Sequence, residues 1–281
     1  SFGRIDFTVD RATKRPVAHH VHQPQPICTS VVSGHEGCAA DGVDGSRRVD
    51  YEGAVVSPRA DVTAIVSAAV NAAQALRARS LNSTATVRIP HHESAQSPAG
   101  DLAADWMLAL DPKADAALTN STGFRADIAE GPFTYGALHA LIPFDNQRVS
   151  IALTGAQLKQ VIADNVRRSG TMVVLGGVKA VATCAHGDVS IVLTRYSGQP
   201  IADAASLRVV TTDFLATGGD GFLAPLMPVT VLERSPGVIR DEIAAWLEAR
   251  HSSWSASTLE APPNIETATP RPMACGAAAQ D

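Results

Sequence analysis

The sequence predicts a fold of the α+β class, built from mixed layers of helices and strands. Two observations carry this prediction. Several stretches show the 3.6-residue spacing of amphipathic helices, and short Val-rich runs typical of strands lie between them. The connecting segments have mixed lengths, so an α/β arrangement also stays open.

The N-terminal part of the chain is expected to hold one strand and a linker. Apolar residues alternate at Ile5, Phe7 and Val9, which predicts an edge strand and a turn over residues 1–13. Residues 14–58 are rich in Pro, Gly, His and Asp and have little periodicity, which is typical of an extended linker. A strand at the very start looks like the end of something longer, so we expect a preceding portion to be missing.

One domain is predicted over residues 59–251, and it begins with a long amphipathic helix. Apolar residues recur at helical spacing between Val62 and Leu76. A second helix is expected to start near Ser97, because Pro98 is harmless in a first helical turn, where its missing N–H has no partner to lose.

The remainder of this domain is expected to interleave strands and helices. A strand is expected at 114–119, and alternating apolar residues predict another at 149–153. Short Val-rich runs predict strands at 172–174, 178–182, 189–193 and 207–211. A turn with a short helix is expected over 132–141, a helix after residues 154–155, and a final helix over 237–251. Residues 252–281 are rich in Ser, Ala and Pro, which predicts a disordered tail.

Composition narrows the class of partner. Apolar residues make up 45% of the chain and charged residues 18%, which fits a soluble globular protein with a full core. The net charge is −5 and no basic patch stands out, so nucleic acid or an anionic membrane is an unfavoured partner. No run of about 18 uninterrupted apolar residues appears, so no membrane span is predicted.

Three short motifs combine aromatic side chains with polar groups. Residues 213–222 place Phe214 and Phe222 around a turn with three glycines and Asp220. Glycine lets the backbone approach a ligand closely, the aromatic rings offer flat faces, and the carboxylate could accept from hydroxyl groups. Residues 141–146 set Phe144 beside an amide, and residues 120–125 add a second amide and a guanidinium.

These motifs resemble the C-terminal, substrate-binding domain of the 5'-nucleotidase and bifunctional metallophosphatase family. That domain typically reads N-x-G-G-I-R, then T-Y, P-F-x-N, L-T-G and F-x-A-x-G-G-D-G-[YF]. The corresponding segments here occur in the same order, at 120–125, 134–135, 143–146, 153–155 and 214–222. The resemblance covers about residues 88–250 and implies a mixed four-layer arrangement.

The resemblance also implies a nucleotide or nucleoside as the small-molecule ligand. Phe144 and Phe214 match the two aromatics that sandwich the base, although both could instead be core residues, the usual fate of a phenylalanine. Asp220 matches the acceptor for ribose hydroxyls, or is a turn aspartate bonded to its own backbone.

Three further positions match ligand-binding residues of that family. Asn146 matches a residue at the base edge, and Asn120 matches an amide near the ribose or phosphate. Arg125 matches a guanidinium directed at the substrate, with an ion pair to Asp127 or Glu130 as the alternative. The family often has an additional arginine for which Arg88 is the nearest counterpart.

No catalytic or metal-binding residue is predicted in this chain. The family's two-metal chemistry uses D-x-H, G-D, G-N-H-D and G-H-x-H signatures, and no ordered set of them occurs. His19, His20 and His22 form a cluster that fits a solvated loop better than a metal site.

The resemblance therefore implies the substrate-binding half of a phosphoric monoester hydrolase of nucleotide catabolism. Two divalent metals are implied for an N-terminal metallophosphoesterase domain, of which residues 1–13 would be the last remnant, and turnover by this chain alone is not expected. The alternatives are a stand-alone module that binds nucleosides without catalysis, and a degenerate fold kept for structure or partner contact.

The cysteines are relevant to the compartment in which the protein is found. Cys28 and Cys38 are spaced for a local disulfide or are two free thiols. The resemblance favours the disulfide, because it implies a secreted or periplasmic protein, where such a bond persists.

Overall fold

The computed structural model describes residues 2–24, 28, 30–32, 38, 46–92 and 97–275. The chain divides into two compact units, Ser1–Ala73 and Gln74–Asp281. Together they contain helices and strands in mixed order, which confirms the predicted α+β class. None of the helices within the described ranges has the length and hydropathy needed to cross a bilayer.

The smaller unit contains short strands and most of the first helix. In chain order, the elements are β1 (Ile5–Val9), β2 (Pro16–Val21), β3 (Ser30–Val32), β4 (Ser46–Arg48), β5 (Asp50–Tyr51), β6 (Ala54–Val55) and α1 (Ala60–Arg77). Successive strands pair antiparallel as β1 with β2, β3 with β4, and β5 with β6. A disulfide joins Cys28 and Cys38 beside a small core that includes Val31 and Val49.

This unit corrects the boundary expected after residue 13. β2 lies in the expected linker, yet it pairs along its length with β1, and further strands follow within the described parts of 14–58. The segment lacks periodicity because every residue of β2 is exposed, so burial imposes no alternation on it. The predicted helix over 59–79 is confirmed as α1, which has no buried residue.

The larger unit begins with the last residues of α1 and contains most of the regular structure. Its further elements are β7 (Ser80–Ala85), α2 (Pro98–Ala109), β8 (Ala116–Asn120), β9 (Gly131–Thr134), α3 (Tyr135–Leu141), β10 (Gln147–Thr154), α4 (Gly155–Val166), β11 (Val173–Gly176), β12 (Val178–Ala185), β13 (Asp188–Arg195), β14 (Ser206–Thr212), α5 (Asp213–Ala216), β15 (Thr230–Val238), α6 (Ile239–Glu248), β16 (Ser252–Trp254), α7 (Ala256–Glu260) and β17 (Ile265–Thr267).

A five-stranded sheet with the order β11-β8-β14-β10-β15 organises this unit. β8 and β14 run parallel, and the other neighbouring pairs are antiparallel. Successive side chains point to opposite faces of a sheet, so Val209 enters one hydrophobic core and Val210 the other. α4 and the sheet β13-β12-β17 cover one face, while α2, α6 and the sheet β16-β7-β9 cover the other.

Capping residues determine where two of the predicted helices begin. Ser97 caps α2 and accepts a hydrogen bond from the Gly100 amide at 3.0 Å, with Pro98 in the first turn as expected. Thr154 caps α4 by accepting from the Gln157 backbone amide, and the Gln157 side-chain oxygen accepts from the Thr154 amide, which forms a capping box. Both starts therefore follow from local side-chain chemistry.

The C-terminal segment corrects the expectation of a disordered tail over 252–281. β16 pairs with β7, β17 pairs with β12, and Trp254 and Met273 are buried in the two cores. A disulfide joins Cys184 to Cys275. The ordering comes from a few large side chains and long-range pairing, so it leaves no local pattern; residues 276–281 lie outside the described part.

Candidate functional site

The three motifs lie together at one edge of the five-stranded sheet, the edge formed by the ends of its strands. The parallel strands β8 and β14 both end at this edge, and β10, which is antiparallel to β14, begins there. Asn120 is the last residue of β8, Phe214 follows β14, and Asn146 immediately precedes β10. The loops that carry the motifs therefore emerge side by side although they are far apart in sequence.

All six residues predicted to bind a ligand line a single cavity of about 190 Å³. The lining also contains two further residues of the 120–125 motif, and the whole set is Asn120, Thr122, Gly123, Arg125, Phe144, Asn146, Phe214 and Asp220. The structure thus groups the predicted residues, which contribute two aromatic rings, two amides, a guanidinium and a carboxylate to the same space.

The two lining phenylalanines are not core residues. Phe144 is 42% exposed and Phe214 is 43% exposed, whereas Phe124 and Phe222 are 2% and 8% exposed within the hydrophobic cores. Exposed aromatic rings in a cavity are available to stack on a flat ligand. The expectation that Phe222 offers a face at this site was wrong, because its ring packs among buried apolar side chains.

The turn after β14 holds Phe214 against the backbone. The hydroxyl of Thr212 accepts from the Leu215 amide and starts the short helix α5. Gly218 has a φ of 100° and Asp220 a φ of 53°, both in the left-handed region. This turn brings Gly219 beside the Phe214 ring so closely that a Cβ there would lie 2.5 Å from ring carbons.

Asp220 is oriented by two side chains of the loop after β8. Its Oδ2 accepts from Asn120 Nδ2 at 2.7 Å and from Thr122 Oγ1 at 3.4 Å, while Asn120 Nδ2 also donates to Thr122 Oγ1 at 3.1 Å. A carboxylate has about four lone-pair positions, so these bonds leave it capacity to accept from a ligand hydroxyl.

A buried arginine that the motifs do not include supports the loop of Phe144. Arg240, in the first turn of α6, donates to the carbonyls of Ile142 and Phe144 at 3.1 and 3.3 Å, and to Asp145 Oδ1 at 2.6 Å. Burial acts to lower the pKa of Arg240, but bonds to Tyr135 and Asp145 outweigh it and leave that pKa raised. The guanidinium is therefore charged and holds the loop in place.

The sequence held one signal of this role. Arg240 lies three residues before Ile243 and four before Ala244, which puts a charged side chain on the apolar face of the predicted helix. A charge at such a position needs buried partners, and here backbone carbonyls supply them.

Arg125 lies beside Phe144. Its guanidinium carbon is 5.7 Å from the centroid of the Phe144 ring, and its backbone amide donates to the Leu141 carbonyl at 2.9 Å. A cation at this distance from a ring is attracted by the π-electrons. One wall of the cavity thus combines a flat ring with a positive charge.

Arg88 contacts Asp127 and is not part of the cavity lining. Asp127 also accepts from the backbone amide of His91 at 2.9 Å and from its ring at 2.6 Å. Burial acts to raise the pKa of Asp127, but the bonds from His91 and Arg88 together lower it to about 2. Arg88 therefore serves this ion pair in place of the ligand contact considered for it.

A second cavity, of about 230 Å³, lies between α2 and the C-terminal segment. Its polar lining includes Asp101, Asp105, Lys179, Tyr196 and Asn264. Tyr196 donates to Asp105 at 2.8 Å, so two of these groups bind each other and tie β13 to α2. None of the predicted ligand residues lines this cavity.

No metal centre is formed within the described part of the chain. Among those residues, no group of three or more His, Cys, Asp or Glu side chains is placed to hold a metal ion. In the predicted His cluster, the rings of His20 and His22 lie 4.4 Å apart, and His22 contacts Asp6 at 2.9 Å.

Comparison with known proteins links this arrangement to one family. A family model described as 5'-nucleotidase, C-terminal domain, matches residues 72–225, which is more than half of the chain. The cell wall protein Lmo0130 of Listeria monocytogenes is 26% identical over 202 residues, covering 63% of this chain and 26% of that protein. The trifunctional nucleotide phosphoesterase protein YfkN of Bacillus subtilis is 28% identical over 145 residues, covering 47% of this chain and 10% of that protein.

A solved structure has the same fold. The crystal structure of a 5'-nucleotidase precursor from Thermus thermophilus superposes with a TM-score of 0.60 at 19% identity, covering 94% of this chain and 49% of that one. The present chain spans less than half the length of each of these three relatives.

Proposed function

Since the chain belongs to the family of 5'-nucleotidase C-terminal domains, we propose that its cavity binds a nucleotide or nucleoside with the base between Phe144 and Phe214. The observation that carries the proposal is the pair of half-exposed rings in one cavity with the Asp220 carboxylate. A nucleoside is a flat base on a polyhydroxyl ring, and this lining offers a partner for each part.

The polar groups divide the remaining roles. Stacking on an aromatic side chain contributes about 1–3 kcal/mol per base. Asn146 would contact the base edge, and Asp220, oriented by Asn120, would accept from the ribose hydroxyls. Arg125 carries the positive charge that would face a phosphate, for which its planar fork is suited. Asn120 would lie near the ribose or phosphate.

In the whole protein, we propose that this domain presents nucleotides to a phosphoric monoester hydrolase centre. The catalytic residues and two divalent metals would belong to an N-terminal metallophosphoesterase domain. Family membership and the greater length of the relatives support this proposal. In such proteins a metal pair polarises the phosphoryl group and activates water.

We further propose a secreted or periplasmic location. The structure pairs all four cysteines, as Cys28–Cys38 and Cys184–Cys275, and disulfides persist in oxidising compartments. The name of Lmo0130, a cell wall protein, points in the same direction.

Calorimetric titration of the chain with adenosine and with AMP, without added metal, tests the proposal. We expect saturable binding of both ligands with one site per chain, because the base and ribose contacts lie within this domain. Heats that show no saturation with either ligand, from a sample whose folding is verified by circular dichroism, would contradict the proposed site.

Alanine variants test the stacking roles. We expect Phe144→Ala and Phe214→Ala each to weaken AMP binding by about 1–3 kcal/mol, with little change in melting temperature, because both rings are exposed. The matched control is Phe124→Ala, whose ring is buried, and which should cost about 3–5 kcal/mol of unfolding free energy. Wild-type affinity in both exposed variants would show that the rings do not stack on the base.

A further inference from the structure

We propose that Asp213 is the positioning residue that sets the gap between the two aromatic walls of the cavity. The proposal rests on the function proposed above. Oδ1 of Asp213 accepts from the backbone amide of Phe214 at 3.0 Å and from that of Gln147 at 3.0 Å. Phe214 is one wall, and Gln147 lies three residues after Phe144, the other wall, so one oxygen atom bonds the backbone of both wall-bearing segments.

The strand register explains why a side chain is needed there. β10 and β14 pair as a ladder up to Arg148 opposite Thr212. Asp213, the residue after β14, begins α5. Its carbonyl does not continue the ladder, because it accepts from the backbone amide and hydroxyl of Thr217 at 3.0 and 2.8 Å. The carboxylate replaces the missing ladder acceptor for the Gln147 amide.

Arg234 adds a second link at the same point. Its Nη1 lies 3.8 Å from Asp213 Oδ2 and donates to Gln147 Oε1 at 3.2 Å. The guanidinium thus bridges Asp213, which precedes Phe214, and Gln147, which lies three residues after Phe144. Removal of the carboxylate would release the Gln147 amide and leave Arg234 without an acidic neighbour at this site.

A fixed gap matters because a flat ligand contacts both walls only at one spacing. Carbon atoms in contact are about 3.5–4 Å apart, so a base between two rings needs walls roughly 7 Å apart. Loss of the Asp213 link removes the bond that continues beyond the Arg148–Thr212 pair, so the two loops can move more relative to each other and stacking on both faces has an additional entropic cost. Arg240 still holds the Phe144 loop, so the loss of Asp213 changes mainly the spacing between Phe144 and Phe214.

Titration of the full chain with AMP, together with thermal melting, tests the role. We expect Asp213→Ala to weaken AMP binding about tenfold, the effect typical of losing a bond to a charged acceptor. Asp213→Asn retains an oxygen acceptor and should bind within about threefold of wild type. The control Asp203→Ala, which removes a surface ion pair with Lys159, should leave affinity unchanged.

A double-mutant cycle separates positioning from a general structural role. If Asp213 acts through the rings, Asp213→Ala should have little further effect in a Phe214→Ala background. An equal loss in both backgrounds, an Asn variant as weak as the Ala variant, or wild-type affinity in Asp213→Ala would overturn the proposal. Absence of AMP binding by the wild-type chain would instead overturn the proposed function itself, and this inference with it.

Discussion

At Gly219, the absence of a side chain determines where a wall of the cavity can lie. A Cβ at this position would be 2.5 Å from carbons of the Phe214 ring, a separation that real contacts do not show. The ring is 43% exposed, so it can move away when it is displaced. The steric conflict is therefore relieved by moving the wall and not by unfolding the core.

We accordingly expect Gly219→Ala to weaken AMP binding by about 1–3 kcal/mol, the contribution of one stacking partner. Its free energy of unfolding should change by less than about 1 kcal/mol. Isothermal titration and urea denaturation measure the two quantities. Gly237→Ala is the matched control, because a Cβ there meets only ordinary contacts at 3.8 Å or more, and it should bind as wild type.

The residues that line the candidate cavity could be selected from the sequence where they carry recognisable motifs. Asn120, Arg125, Phe144, Asn146, Phe214 and Asp220 were all identified from sequence, and they line one cavity. Asp213 and Arg240 were missed because their partners lie 66 and 95–98 residues away along the chain. Such contacts depend on how strands are ordered in the sheet, and no local pattern encodes that order.

At the scale of elements, the first turn of α6 holds the loop before β10. Arg240 bonds two carbonyls and a carboxylate of that loop, and the backbone amide of Ile239 donates to the Asn146 carbonyl at 2.8 Å. The helix therefore holds the loop of Phe144 and Asn146 through hydrogen bonds to the main chain of that loop. The position of these two predicted ligand residues depends on an element that does not line the cavity.

We expect Arg240→Met to lower the free energy of unfolding by about 1–3 kcal/mol, because the carbonyls of Ile142 and Phe144 lose a charged donor. AMP binding should weaken as well, since the loop of Phe144 is less restrained. Arg250→Met removes an exposed arginine just after the same helix and should change stability by at most about 0.5 kcal/mol. Equal effects of the two substitutions would contradict a supporting role for Arg240.

The predicted elements differ in how well the sequence revealed them. The apolar residues of β10 alternate and β14 is rich in Val, so the sequence predicted both strands, whereas it did not predict β7 and β15. β15 contains Pro236 and Gly237 and lies at the edge of the sheet, where a proline is tolerated because its outer side needs no ladder bond. An edge strand that is mostly exposed has no reason to alternate, so its pattern gives no signal.

At the scale of the whole molecule, the candidate site belongs to one of the two compact units. Every residue that lines the cavity lies within 74–281, and so do both large hydrophobic cores. The C-terminal segment is part of this unit, because Trp254 packs with Trp106 and Phe133, and Met273 enters the opposite core. The disulfide from Cys184 to Cys275 fixes the same segment covalently.

Two truncated chains test this division. Residues 74–281 alone should melt cooperatively and bind AMP with the affinity of the full chain, since the residues that line the cavity and those described in the two large cores all lie within this range. Residues 74–251 lose Trp254, Met273, β17 and the Cys184–Cys275 disulfide. Removal of a buried tryptophan alone costs about 3–5 kcal/mol, and each kcal/mol shifts the melting temperature of a chain this size by about 2–4 °C. Melting of 74–251 should therefore fall by roughly 10 °C or more, and equal melting temperatures for the two chains would show that the C-terminal segment contributes nothing to the fold.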